Sequence, residues 1–158
     1  MKKVFLGLGG NIGDVAKTLK EAESRLCKSA GIYDVKFSKL YRTSPVSDIP
    51  QDDFINCVCE LLTTLSVRKL FEVTQEIEKS LGKEKKAKNA PRSIDIDVLV
   101  YGDETIIDND IEIPHPKWQD RLFVLIPLLD LTEKVGKVDI RQRIEELKKL
   151  SKDLVEGI

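Results

Sequence analysis

One histidine, one tryptophan and three cysteines stand among 158 residues, and each scarcity removes a class of chemistry. Cys27, Cys57 and Cys59 form no Cys-x-x-Cys pair, and with His115 the sole histidine a Cys/His metal centre lacks ligands. Cys57 and Cys59 instead alternate along an apolar run and read as small core residues. Long hydrophobic runs are missing too. Residues 4–8 are apolar, but the run stops at Gly9, too short for a secretory signal or a membrane span, so a cytoplasmic protein with no membrane partner is expected. Nor does charge of one sign dominate: 26 Lys plus Arg face 27 Asp plus Glu, a net charge of -1, which advertises neither a nucleic-acid binder nor an acidic tail. With 9 Gly and 6 Pro, collagen-like and low-complexity classes are excluded. The length predicts a single domain over residues 1–158, with about two-thirds of the unfolded chain's surface buried and no need of disulfide or metal staples.

What is present is patterned. Residues 3–8 predict a strand, closed by Gly9-Gly10-Asn11-Ile12-Gly13 as a tight turn. From Asp14, Val15, Leu19, Ala22, Leu26 and Ala30 recur at helical spacing until Gly31. Residues 32–41 and 54–63 are rich in β-formers, and the long connection between them has the length of a functional loop. Ser66 caps a second helix with Leu70, Phe71, Thr74, Ile77 and Leu81 inward and Gly82 as terminator. A strand over 94–101 follows a lysine-rich loop, then short strands at 105–107 and 111–113 and a helix over 117–129. A last amphipathic helix from Asp139 presents Ile140, Ile144, Leu147, Leu150 and Leu154. The core order β-α-β-β-α-β predicts an α+β, ferredoxin-like antiparallel sheet with extra short strands and added C-terminal helices.

Three clusters carry chemistry. In Ile94-Asp95-Ile96-Asp97-Val98-Leu99-Val100, strand alternation puts Ile94, Ile96, Val98 and Val100 on one face and both aspartates on the other, about 6 to 7 Å apart. Paired carboxylates either decorate a solvent face or hold Mg²⁺ carrying a phosphate. The segment 83–92, with five cations against Glu84, lies directly upstream and favours the second reading. In the strand from residue 54, Phe54 and Asn56 face away from Ile55, Cys57, Cys59 and Leu61. They read either as an exposed ring and an edge amide or as a stacking surface and hydrogen-bond reader for a flat heterocycle. The third cluster sets His115 between Pro114 and Pro116, with Arg121 and Phe123 close behind. There a lone loop histidine and a core phenylalanine are the plain alternative.

Taken together, these residues resemble the 6-hydroxymethyl-7,8-dihydropterin pyrophosphokinases. The resemblance rests on Lys88-Asn89-Ala90-Pro91-Arg92-Ser93-Ile94-Asp95-Ile96-Asp97-Val98-Leu99, on Gly7-Leu8-Gly9-Gly10-Asn11, Tyr41-Arg42-Thr43-Ser44-Pro45, Phe54-Ile55-Asn56 and Thr74-Gln75-Glu76-Ile77-Glu78, and on Ile113-Pro114-His115-Pro116 with Arg121-Leu122-Phe123. It implies that ATP, as co-substrate, gives its β,γ-pyrophosphoryl group to the pterin's hydroxymethyl oxygen and releases AMP. Asp95 and Asp97 would hold two Mg²⁺ ions; Lys83, Lys85, Arg92, His115 and Arg121 would meet the phosphates; Gln75 and Glu78 would lie near the nucleotide. The pterin would stack between Phe54 and Phe123, read by Asn56 and by Thr43, Ser44, Pro45 and Val46. Asn89-Ala90 replaces a Trp-Gly pair common in the family, and Lys83 replaces an arginine, keeping charge but losing the bidentate fork.

Partners implied are these two small molecules and no nucleic acid, with the chain a monomer. Two rivals of other classes are an RNA-binding module using an open sheet face and a metal-dependent nuclease. An open face bearing Asp95 and Asp97 repels phosphate unless Mg²⁺ intervenes.

Overall fold

In the computed structural model, which describes residues 1–44, 51–82, 93–150 and 155–158, β1 (Lys2–Gly10) lies between β4 (Phe54–Thr63) and β5 (Asp95–Tyr101), antiparallel to both. Two shorter strands, β2 (Ile32–Phe37) and β3 (Tyr41–Thr43), pair in turn with the far side of β4, and a final strand β10 (Val155–Gly157) pairs with β3. With α1 (Val15–Lys28) and α2 (Val67–Ser80) in their expected places, the β-α-β-β-α-β order of an antiparallel ferredoxin-like sheet is present. Residues 105–107 and 111–113 contribute the small hairpin of β6 (Ile106–Ile107) and β7 (Glu112–Ile113).

Both helices form for local reasons. Asp14 accepts the Lys17 N–H and Ser66 the Lys69 N–H, so each helix starts on a side-chain cap. Val15, Leu19, Ala22 and Leu26 of α1, with Leu70 and Ile77 of α2, then pack with Val4, Leu6, Leu8, Cys57, Cys59, Leu61 and Ile96 on one side of the sheet. The other side is covered over part of its area by α3 (Leu122–Leu129) and α4 (Ile140–Leu150), where Leu125, Leu128, Ile140 and Ile144 enclose Phe5, Val58, Leu99 and Val100. A sheet covered in this way is not the broad open platform an RNA-binding module needs.

Several expectations are corrected. β1 runs on to Gly10, because Gly9 and Gly10 keep their pairing with Asn56 and Ile55 instead of turning. The run 32–41 breaks into β2 and β3; Ser38 bridges the break, its N–H donating to the Val58 carbonyl and its Oγ accepting the Val58 N–H. Alternation along β5 fails at Leu99, where the register against β1 shifts, so Val100 joins the second core and does not share a face with Ile94 and Ile96. Residues 117–129 are not one helix: a 3₁₀ turn, Trp118–Asp120, is separated from α3 by extended backbone at Arg121 (φ -119°, ψ 110°). α1 stops at Lys28, leaving Ala30 exposed, and Leu150 at the end of α4 is also exposed; Leu154 falls outside the described residues. The hairpin of β8 (Lys134–Val135) and β9 (Val138–Asp139), and strand β10, carry no signal in the hydrophobic pattern.

Candidate active site

Where α3 and α4 stop, the second face of the sheet carries a row of side chains set by strand register. Asp95 on β5 is paired with Gly9 on β1, and Gly9 with Asn56 on β4, which is paired with Tyr41 on β3. One step along, Asp97 is paired with Gly7, and Gly7 with Val58. Residues paired directly across a sheet share a face, so both aspartates, Asn56 and the two glycines lie on one surface. Bare glycine at both central positions makes a floor between the carboxylates and the amide.

At Gly9 this floor is tight. A Cβ there would collide with Asn56 Oδ1 and come within 3.1 Å of the Ile55 carbonyl oxygen. Asn56 is buried, and its Nδ2 donates to Thr43 Oγ1 at 3.1 Å, which fixes the amide plane over the glycine. Phe54, half-buried, is two residues away on the same face of β4, and Ser44 is exposed just beyond β3. Pro45 and Val46 lie outside the described residues, as do Lys83, Lys85 and Arg92. A tether the sequence did not single out closes this end: Asn11 Nδ2 donates to Gln51 Oε1 at 2.6 Å and to the Asp52 carbonyl at 3.0 Å.

The outer edge of β5 brings in the third cluster. The His115 N–H donates to the Leu99 carbonyl at 2.8 Å, which seats the segment after the cis Ile113-Pro114 bond along the strand. Burial pushes the His115 imidazole below its ordinary pKa, the nearby Asp97 carboxylate opposes the shift, and Arg121 reinforces it. His115 Nδ1 accepts the Lys117 N–H at 3.1 Å, so a neutral ring carries its proton on Nε2 and offers a donor. Arg121 lies over the Phe123 ring, its Cζ 5.4 Å from the centroid. Asp97, His115 and Arg121 are thus in one electrostatic neighbourhood.

On the same edge, the buried Glu78 of α2 accepts the Ile96 N–H at 2.8 Å. Ile96 stands between the two aspartates, so Glu78 holds the backbone from which both project. Gln75, one turn earlier, is exposed. No signal in the sequence distinguishes this strand-edge acceptor from a ligand contact, because a Glu at i+3 from a Gln fits either.

A hard-cation site needs oxygen donors with room for water and phosphate oxygens, and two carboxylates over a glycine floor meet that description. Among the described residues, no group of three or more His, Cys, Asp or Glu forms a protein-only cage. Two carboxylates on one strand face are hard oxygen donors of the kind that suit Mg²⁺ shared with a polyphosphate. No helix of the described residues is long and apolar enough to cross a membrane.

The chain is also similar to known proteins. Residues 5–133 match the family model of 7,8-dihydro-6-hydroxymethylpterin-pyrophosphokinase. A 2-amino-4-hydroxy-6-hydroxymethyldihydropteridine pyrophosphokinase of Bacillus subtilis is 37% identical over 84% of this chain and 80% of its own length, and the protein of that name from Methylorubrum extorquens is 38% identical over 93% and 94%. In fold, the chain is similar to a solved HPPK-DHPS in complex with substrates: the TM-score is 0.73 at 14% identity, covering 94% of this chain and 44% of that one. The matched span takes in the carboxylate pair, the glycine floor, Asn56, His115 and Arg121, and the chain belongs to the 7,8-dihydro-6-hydroxymethylpterin-pyrophosphokinase family.

Proposed function

We propose that this chain performs the family's folate-biosynthetic reaction as a single-domain monomer, with Asp95 and Asp97 as ligands of two Mg²⁺ ions and ATP as pyrophosphoryl donor. The reaction joins the hydroxymethyl oxygen to the β-phosphorus and breaks the bond from that phosphorus to the α,β-bridging oxygen. AMP departs with the electron pair, and the hydroxyl proton is released. Bound Mg²⁺ would supply charge neutralisation on the polyphosphate and a template for in-line attack.

The chain's own residues do the rest. Phe54 and Phe123 offer ring faces for the pterin, and the Thr43-fixed amide of Asn56 both donates and accepts at its polar edge. Ser44, Pro45 and Val46 are assigned to the pterin as well, the last two lying outside the described residues. His115, neutral and protonated on Nε2, donates to a phosphate oxygen, and Arg121 adds a permanent positive charge. Lys83, Lys85 and Arg92 supply further cations, and Gln75 lines the nucleotide side while Glu78 fixes the strand.

The observation that carries this reading is the row Asp95, Gly9, Asn56 across three adjacent strands, which sets a cation-binding pair a glycine's width from a heterocycle reader. Asp95→Ala and Asp97→Ala test it. Each should lower kcat/KM by at least about tenfold and weaken Mn²⁺ binding to the complex with a non-hydrolysable ATP analogue. A variant that keeps wild-type Mn²⁺ affinity and more than a tenth of the rate sinks the metal assignment.

A further inference from the structure

Arg143 lies on α4, beyond the residues that match the family model, yet it grips the turn that leads into Arg121. Its Nε donates to the Gln119 carbonyl at 2.7 Å, its Nη2 to Asp120 Oδ1 at 2.6 Å and its Nη1 to Glu146 Oε2 at 3.1 Å. All three guanidinium nitrogens are committed to one neighbourhood, a geometry that lysine does not reproduce. The Arg143 side chain is 25% exposed while the Asp120 and Glu146 carboxylates are 62% and 50% exposed, so the grip rests on its three-point geometry and not on burial.

The turn it holds is a single 3₁₀ turn, Trp118–Asp120, anchored on one side by the buried Trp118. Arg121 follows in extended backbone before α3 begins at Leu122. Asp120 and Arg121 are therefore adjacent, an anion beside the cation that a polyphosphate needs. Arg143 pairs with that anion and holds the Gln119 carbonyl before it, while Arg121 rests over Phe123.

The geometry points to Arg143 as a positioning residue that occupies Asp120 and steadies the 118–120 turn, keeping Arg121 on Phe123 and open to the ATP phosphates. The inference rests on the role given to Arg121 above. With Arg143 removed, the released Asp120 carboxylate both competes with the triphosphate for Arg121 and repels it. Neutralising Asp120 removes both effects, so the proposal predicts rescue by a second mutation.

The test is a cycle of Arg143→Met, Asp120→Asn and the double variant in the full chain, with Kd for a non-hydrolysable ATP analogue, KM, kcat and thermal midpoint measured for each. Arg143→Met should weaken analogue binding and raise the KM for ATP by about tenfold, with kcat at saturation within about threefold. Asp120→Asn alone should bind within about twofold of wild type, and the double variant should recover most of the loss although the turn has lost its clamp. A double variant as weak as Arg143→Met, or weaker, overturns the proposal, because a purely structural clamp is not repaired by removing its second partner. Should Arg143→Met fail to fold, Arg143→Lys serves, since it keeps a charge for Asp120 but loses the shared grip on Gln119; binding within about threefold of wild type supports the charge argument, and a tenfold loss contradicts it. If Arg121→Met binds the analogue as wild type does, the role of Arg121 itself is wrong, a failure distinct from that of the cycle.

Discussion

Adding one methyl group at Gly9 should damage both the fold and pterin recognition. The new Cβ collides with Asn56 Oδ1 and stands 3.1 Å from the Ile55 carbonyl oxygen and 3.2 Å from Asn56 Cγ. The carbonyl belongs to the ladder between β1 and β4 and moves little, so Asn56 must move instead. To do so it gives up the 3.1 Å bond to Thr43 in a buried place. Losing that bond costs about 1 kcal/mol, and forcing the extra carbon into a packed site costs about 1–3 kcal/mol. The total, about 2–4 kcal/mol, corresponds to a fall in thermal midpoint of about 5–15 °C for a chain of this size. Because the displaced amide is the proposed pterin reader, the KM for the pterin should rise by about tenfold or more, and that for ATP by much less. Gly7→Ala is the comparison: the nearest neighbours of its Cβ are Leu99 side-chain atoms, at 3.4 Å or more, and it should shift the midpoint by about 3 °C or less. Thermal denaturation and steady-state kinetics on both variants decide the matter. A Gly9→Ala protein with wild-type midpoint and wild-type pterin KM would refute the tight-floor argument.

Further outcomes follow from the same contacts. Glu78→Ala leaves the Ile96 N–H without its acceptor and should cost about 1–3 kcal/mol and lower kcat, whereas Glu78→Gln, which keeps an acceptor, should retain most of both; equal losses in denaturant titration and turnover would contradict the strand-edge role. Burial and the Asp130 carboxylate push the Tyr41 hydroxyl up to about 12 from 10.0. The folded state thus favours neutral Tyr41, a stability contribution present below pH 10 and lost as pH rises towards 12. Tyr41→Phe should abolish an ultraviolet titration step near pH 12, and an unchanged titration curve would count against the Asp130 pairing. Leu125→Ala, at a fully buried position between α3 and the sheet, should lower stability by about 2–5 kcal/mol with little change in KM; a loss below about 1 kcal/mol in chemical denaturation would argue against that packing.

The parts of this molecule legible in its sequence are those governed by local periodicity. α1 and α2 announce themselves through caps and three- and four-residue spacing, and β4 through its alternation. Alternation also put both aspartates on one face of β5, and Phe54 with Asn56 on one face of β4. It failed where pairing shifts: nothing in the pattern marks Leu99 as the residue at which β5 changes phase, because the shift is defined by β1. Nor does it mark the break between β2 and β3, which Ser38 and Val58 settle between strands. The glycine floor was visible only as glycines near a turn, since its meaning lies in what Asn56 places above it. The holding roles of Glu78, which the sequence placed near the nucleotide, and of Arg143 were opaque for the same reason: their partners, Ile96 and the 118–120 turn, are 18 and 23 or more residues away. The candidate site residues stood out by type, and the residues that hold them in place only by contact.

The central claim is that the Asp95–Gly9–Asn56 surface brings ATP and a hydroxymethyl pterin together for transfer of a pyrophosphoryl group. Its most direct test is identification of the nucleotide product when the protein is incubated with Mg²⁺, ATP and 6-hydroxymethyl-7,8-dihydropterin and the mixture is followed by ³¹P NMR. The account predicts AMP and the pterin diphosphate in equal amounts, with formation of AMP dependent on the pterin. Accumulation of ADP, or AMP released at the same rate without the pterin, would contradict it.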